Sequence, residues 1–435
     1  MIKKSYIILR AIIKRSLILL ILVIQLSSCT SDKKICTING EIVNRPNDTL
    51  LLFKASMFPI IEAKIPITNN KFHYSFEFSQ SEAFELVFKE EYESGSMSII
   101  DFFSEKDEIQ FILHEREKKE NNKIKGYKYN NALKEYNLNL KELFWDEIMK
   151  YSDSLGKLYK NKMALSEDWN NLQEQLKSTT DKEKKKQLYN KQTYLKNTKE
   201  MFTPQARKYS QIQDSIIKEK KLWEFNYIKT NTTILSFYQF MSNIKETAKA
   251  CCWKPVDIEL INEAQENLNR FSLEFPNHPY NTIVKNTLNG LQNIHEGGKF
   301  IDFELPNIKD ENIVLSKIIK KNKLTLLDFW STWCSPCIKT SRELIPVYNE
   351  FKDKGFEVLG ITQNYREMDK LLRFIQNENY PWTNVIDINN KAGVWDKYSL
   401  SQAGGATFLV NSSGKIIGVN LTTDKIKEKL IEYLN

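Results

Sequence analysis

Residues 324 to 351 constrain the fold more than any other part of the chain. An apolar run, Leu324 to Trp330, leads into Trp333-Cys334-Ser335-Pro336-Cys337, and helical spacing continues through Phe351. That order predicts a strand, a turn and a helix, with two thiols bracketing the first helical turn. Two cysteines separated by two residues reach disulfide distance there. Cys334 falls at the helix tip, where unpaired backbone N–H groups and the positive end of the helix dipole favour a thiolate over a thiol. The thiolate is the attacking species, so Cys334 is the expected nucleophile, and Cys337, one turn inward, is placed to resolve a mixed disulfide. Half of a zinc site looks the same, but zinc requires a second cysteine pair or two histidines at ligand spacing. His73, His114, His278 and His295 are scattered and Cys251 and Cys252 are adjacent, so no metal is expected.

The first 28 residues read as an export signal. Lys3, Lys4, Arg10, Lys14 and Arg15 give a basic start, Leu17 to Leu26 an apolar run, and Leu26-Ser27-Ser28-Cys29 a small-residue exit. The apolar run is too short to span a bilayer comfortably. Leu26-Ser27-Ser28-Cys29 resembles a bacterial lipobox, which implies that Cys29 becomes the lipidated first residue of the mature chain, with residues 29–34 as a tether. The resemblance places the protein on an envelope membrane, facing the periplasm. An ordinary cleaved signal with an incidental cysteine is the competing reading. Removing the five basic residues of the signal lowers the formal charge from +8 to +3, a near balance that gives no reason to expect a nucleic-acid partner. The run Lys182 to Lys186 reads as a solvated helix face. With Cys29 lipidated, five cysteines remain, so at least one thiol is unpaired or intermolecular. Cys36, Cys251 and Cys252 read as small buried apolar residues, with a strained vicinal bridge between the last two as the other possibility.

Three domains are expected. Residues 35–115 carry short alternating runs that predict an all-β, sandwich-like antiparallel domain, with a hairpin turned at Asn69-Asn70 between Ala63 to Ile67 and Lys71 to Phe78. Residues 116–296 predict a helical region: Gly156 is the single glycine between Gly126 and Gly290, and Leu133, Tyr136, Leu140 and Leu143 recur at helical spacing. Trp145, Trp169, Trp223 and Trp253 read as core or helix-contact residues. Gly297-Gly298 reads as a hinge into a last domain, 299–435, where strands alternate with helices and a hairpin, Thr407 to Val410 and Ile416 to Val419, precedes a final helix.

Asp328-Phe329-Trp330-Ser331-Thr332-Trp333-Cys334-Ser335-Pro336-Cys337 resembles the active-site strand and helix of the TlpA/ResA group of envelope thioredoxin-like proteins. Asp302-Phe303-x-Leu305-Pro306, Gly355 to Gly360 and Phe408-Leu409-Val410-Asn411 extend the match over residues 299–435. The β-rich segment also resembles domains that precede such modules in Gram-negative lipoproteins. The resemblance implies a thioredoxin-like α/β fold and exchange with protein thiols and disulfides in the reducing direction. It further implies an envelope electron donor and no cofactor beyond the redox-active Cys334–Cys337 disulfide. It makes Asp328 a buried carboxyl that accepts the Cys337 proton, against the plainer reading of an aspartate capping or solvating a strand edge, and it gives Trp333, Ser335 and Pro336 the surface around the nucleophile, against a core position for Trp333. One departure stands out. Where the group places a cis-proline beside the dithiol, this chain has Gly405, preceded by Gly404. A cis bond without proline costs about 2.5–4 kcal/mol, so a trans bond or a rearranged loop is expected, though two glycines still permit close backbone approach to a substrate. Two other functions compete: an envelope interaction protein with a degenerate thioredoxin module, and a peroxidase. The proline and threonine that precede a peroxidatic cysteine at fixed spacing are absent around Cys334.

Overall fold

The structure, a computed structural model, describes residues 33–46, 48–251, 253–364, 368–400 and 404–434. The export signal, Cys29 and Cys252 lie outside these residues. The chain forms two compact units. One comprises the described residues up to Leu52 with Ala63–Tyr127; the other comprises Phe53–Glu62 and the chain from Lys128 onward.

In the first unit, β1 (Lys34–Val43), β4 (Lys71–Phe78), β7 (Glu108–His114) and β8 (Lys123–Lys125) form one sheet in the order β4-β1-β7-β8. The other sheet has the order β3-β2-β5-β6, from β2 (Thr49–Lys54), β3 (Ile61–Pro66), β5 (Ala83–Phe88) and β6 (Ile100–Phe103). A short helix, α1 (Lys89–Ser94), follows β5. Ile109, Phe111 and Leu113 of β7 are buried while Gln110 and Ile112 between them are exposed, the period-2 alternation that lets one face close a core. Two expectations need correction. The domain is not wholly antiparallel: β1 and β7 pair in parallel from Thr37↔Glu108 to Val43↔His114. A parallel pair needs a long crossover, and residues 44–107 supply it, carrying β4 and all four strands of the second sheet. Asn69 and Asn70 do form a tight turn, both at positive φ and closed by reciprocal Thr68 and Lys71 bonds of 2.9 and 3.0 Å. The strands it joins enter different sheets, so the turn is a corner rather than a hairpin.

Helices α2 (Lys128–Leu140), α3 (Asp146–Lys160), α4 (Glu167–Ser178), α5 (Lys182–Asn197), α6 (Pro204–Thr230), α7 (Ile234–Cys251), α8 (Ile258–Glu274) and α9 (Pro279–Asn293) make up the middle region. Leu133, Tyr136 and Leu140 are buried as expected, but Leu143 is exposed. The cause is a widened π-helical turn, Lys141–Trp145, in which the Asp146 N–H bonds the Lys141 carbonyl; it shifts the phase and Phe144 takes the inward place. Trp169 is core, and Trp223 packs against Tyr136 and Tyr227. Trp145 is instead exposed with the Lys220 ammonium over its ring, and Cys251 is only half-buried.

The last domain is a five-stranded sheet in the order β13-β12-β11-β14-β15. Its strands are β11 (Leu324–Trp330), β12 (Phe356–Asn364), β13 (Thr383–Ile388), β14 (Ala406–Asn411) and β15 (Ile416–Val419). β11, β12 and β13 run parallel, and β14 is antiparallel to β11 and β15. A strand pair, β9 (Glu304–Pro306) and β10 (Asn312–Val314), leads in, followed by α10 (Leu315–Lys321). α11 (Ser335–Phe351) and α14 (Thr423–Leu434) cover one face, over Leu324, Leu326, Val358 and Leu409. The opposite face, with Leu327, Phe329, Ile361 and Phe408, is covered by Trp395 and Tyr398 and by Ile294 and Trp253 of the helical region. Between β12 and β13 lies α12 (Met368–Glu378), and α13 (Val394–Lys397) follows β13. Gly297-Gly298 is not a free hinge: the Gly297 N–H donates to the Ile416 carbonyl and the Ile416 N–H to the Gly298 carbonyl, both at 2.9 Å, which pins this joint to β15.

Candidate active site

β11 is buried along its whole length because it is central in the sheet, and its alternating side chains divide between the two faces. Leu324, Leu326 and Asp328 therefore point to the α11 side, which puts a carboxyl directly beneath the helix that carries the dithiol. After Trp330 the chain turns through Ser331 to Trp333, and the Cys334 N–H bonds the Ser331 carbonyl at 3.0 Å. Cys334 is the N-cap of α11, with Ser335 and Pro336 as its first residues. Proline fits there because the first-turn N–H groups have no intrahelical partner. Cys334 and Cys337 are joined in a disulfide with Cα atoms 5.3 Å apart, inside the ordinary range. Both are half-buried, while Ser335, Pro336 and Trp333, the last 42% exposed, form the outer surface.

Asp328 is 2% exposed. Burial pushes its carboxyl up to about 6, against a hydrogen bond from Ser341 that favours the charged form. The Ser341 hydroxyl lies 2.7 Å from Asp328 Oδ2 and 3.0 Å from the Cys337 carbonyl oxygen. Asp328 and Cys337 line a single cleft of about 170 Å³, together with Pro336, Gly405, Asn420 and Leu421. The capping alternative for Asp328 fails on this geometry, since the side chain faces the dithiol cleft from mid-strand.

The Gly404–Gly405 bond is trans; among the described residues the cis bond is Phe58–Pro59. Gly405 is required by space: a Cβ there would stand 1.9 Å from the Phe329 carbonyl oxygen and 2.8 Å from Cys337 Sγ. The backbone ahead of β14 thus comes directly against the resolving cysteine, as close approach without a side chain allows. Gly404 is half-buried beside it. Sequence reasoning did not single out Ser341 or Asn420. Ser341 had a signal: it is four residues after Cys337, hence on the same helix face, and it is polar in a stripe continued by Leu344, Val347, Tyr348 and Phe351. Asn420, whose Oδ1 accepts from the Thr407 N–H at 2.9 Å, had none.

A mixed five-stranded sheet with a Cys-x-x-Cys disulfide at the head of the helix after its central strand, and a buried carboxyl behind the second cysteine, defines a thioredoxin-fold thiol-disulfide oxidoreductase. A model of the AhpC/TSA family matches residues 297–419. The thiol-disulfide oxidoreductase ResA of Bacillus subtilis is 30% identical over 155 residues, covering 35% of this chain and 82% of that protein, and the chain belongs, through this domain, to that family. The thiol:disulfide interchange protein DsbE of Allochromatium vinosum is 30% identical over 118 residues, 26% of this chain and 60% of its own length. The solved thioredoxin domain of a Bacteroides vulgatus thiol-disulfide oxidoreductase is 26% identical, covers 32% of this chain and 98% of its own, and superposes with a TM-score of 0.29.

Proposed function

We propose that this chain is a lipid-anchored envelope protein that reduces disulfides in other proteins. The Cys334 thiolate attacks a substrate disulfide, forming a Cys334–substrate disulfide and releasing one substrate sulfur as thiolate. Cys337 then passes its proton to Asp328 and attacks Cys334 Sγ. The second substrate sulfur leaves as thiolate, and the dithiol, having given up two electrons, closes as the Cys334–Cys337 disulfide. An envelope electron donor restores it. Trp333, Ser335, Pro336, Gly404 and Gly405 form the surface on which the substrate chain docks. A carboxyl raised to about 6 by burial is suited to the proton step, because it is ionised enough to accept and more basic than an ordinary aspartate.

The observation that carries this reading is the bridged pair across the first turn of α11, with one cleft shared by Asp328 and Cys337. Membrane attachment is supported by the basic, apolar and Leu26-Ser27-Ser28-Cys29 sequence alone. Turbidimetric insulin reduction with dithiothreitol as electron source tests the reaction: the protein accelerates precipitation and Cys334→Ser lowers the rate to the uncatalysed level, whereas equal rates for the two would remove the catalytic claim.

A further inference from the structure

The hydroxyl of Ser341, wholly buried, has two acceptors within reach, Asp328 Oδ2 at 2.7 Å and the Cys337 carbonyl at 3.0 Å. A hydroxyl has one proton, so it donates to one of them at a time. An ionised carboxylate is the stronger acceptor and takes that proton while Asp328 is charged. Once Asp328 is protonated, the carboxyl itself becomes a donor; the Ser341 oxygen can accept from it while its own proton turns to the Cys337 carbonyl. In both states the hydroxyl and the carboxyl stay hydrogen-bonded to each other, and passage between them needs only rotation about the Cβ–Oγ bond. Among the described residues no other side chain donates a hydrogen bond to Asp328.

Building on the proton step proposed above, we propose that Ser341 is a positioning residue of the dithiol, its hydroxyl alternating between the Asp328 carboxylate and the Cys337 carbonyl as the carboxyl receives the Cys337 proton. In that step the S–H bond of Cys337 breaks, an O–H bond forms on Asp328, and the electron pair left on Sγ makes the new bond to Cys334. The cleft of about 170 Å³ also has room for a water to carry the proton.

Further titratable groups pack around the pair, and among the described residues only Ser341 donates a hydrogen bond to the carboxylate. Arg342, next on α11, is held in a two-pronged pair by Glu378 of α12 at 2.6 and 2.7 Å. Tyr380 lies beside Ser341, and its phenol is pushed up to about 12, first by burial and then by the Glu378 charge. The strand neighbours of Asp328, Gly360 and Thr407, are uncharged.

Ser341→Ala deletes one oxygen and adds nothing, so it tests the device without crowding the core. With the donor gone, the midpoint of the Asp328 carboxyl, followed by carbon NMR in the oxidised protein, moves up by about one pH unit, the scale of one hydrogen bond to a charged group. In a Cys334→Ser background, the acid limb of the pH profile of Cys337 alkylation moves up with it, and Ser341→Thr, which restores a hydroxyl, brings both back. An unchanged midpoint, or an alkylation profile indifferent to Ser341→Ala, overturns the proposal. The carboxyl titration needs no substrate, so failed insulin reduction beside a clear shift would sink the reductase reading instead.

Discussion

Asp328 carries the residue-scale consequences. Its carboxyl titrates near 6 in the folded protein and near 3.8 when unfolded, so the folded state holds a proton in a range where the unfolded chain has lost it. The sign follows: stability is greatest below about pH 4 as far as this group is concerned and is lost as pH rises through about 6. Asp328→Asn removes that penalty and is expected to stabilise the protein at pH 8 by up to about 3 kcal/mol, shrinking toward zero at pH 4. Thermal unfolding of the two proteins across that range checks it; a gain independent of pH would contradict it. Gly405 makes a second case. Adding one methyl puts carbon against the Phe329 carbonyl and Cys337 Sγ, so Gly405→Ala is expected to cost about 1–3 kcal/mol and to slow the closing of the disulfide. Both positions were visible in the sequence, Asp328 from its place before the dithiol and Gly405 from its departure from a familiar pattern. Ser341 was overlooked because a serine four residues along a helix acquires meaning only once the strand beneath it is known to carry a buried acid.

At the scale of elements, the strand, dithiol turn and helix from 324 to 351 were legible because three local signals agree: an uninterrupted apolar run, proline in a first helical turn, and an apolar stripe at helical spacing. β13 was missed. Its six residues, Thr383–Ile388, are too few for a periodic signal and directly follow Pro381 and Trp382. The parallel β1–β7 pair was not accessible either, since no local pattern reports which strand a distant segment will join. The π-helical turn defeated a phase argument in another way, by inserting one residue into an otherwise regular helix. Packing between elements offers a sharp test at α9, where a Cβ on Gly290 would lie 2.6 Å from both the Lys397 carbonyl oxygen and Ser399 Oγ. Gly290→Ala is expected to push α9 off α13 at a cost of about 1–3 kcal/mol. Faster hydrogen exchange at residues 394–400 would show it, and unchanged protection there would refute it.

For the molecule as a whole, the sequence made the thioredoxin-like end plain and left the rest at the level of class, strand-rich and then helical. It did not reveal that Trp253 and Ile294 of the helical region would complete the hydrophobic face of the C-terminal sheet, with Trp253 Nε1 donating to the Tyr398 carbonyl at 3.0 Å. Among the described residues no helix is long and apolar enough to cross a membrane. On the proposed anchoring, Cys29→Ser moves the protein from the membrane to the soluble fraction of the envelope; retention on the membrane would count against lipidation there. The most direct test of the central claim is covalent trapping. Incubated with insulin, the Cys337→Ser protein should accumulate a dithiothreitol-sensitive mixed disulfide seen on a non-reducing gel, and the Cys334→Ser, Cys337→Ser double variant should form none. No adduct from the single variant, or an equal yield from both, would contradict the assignment of Cys334 as the attacking sulfur.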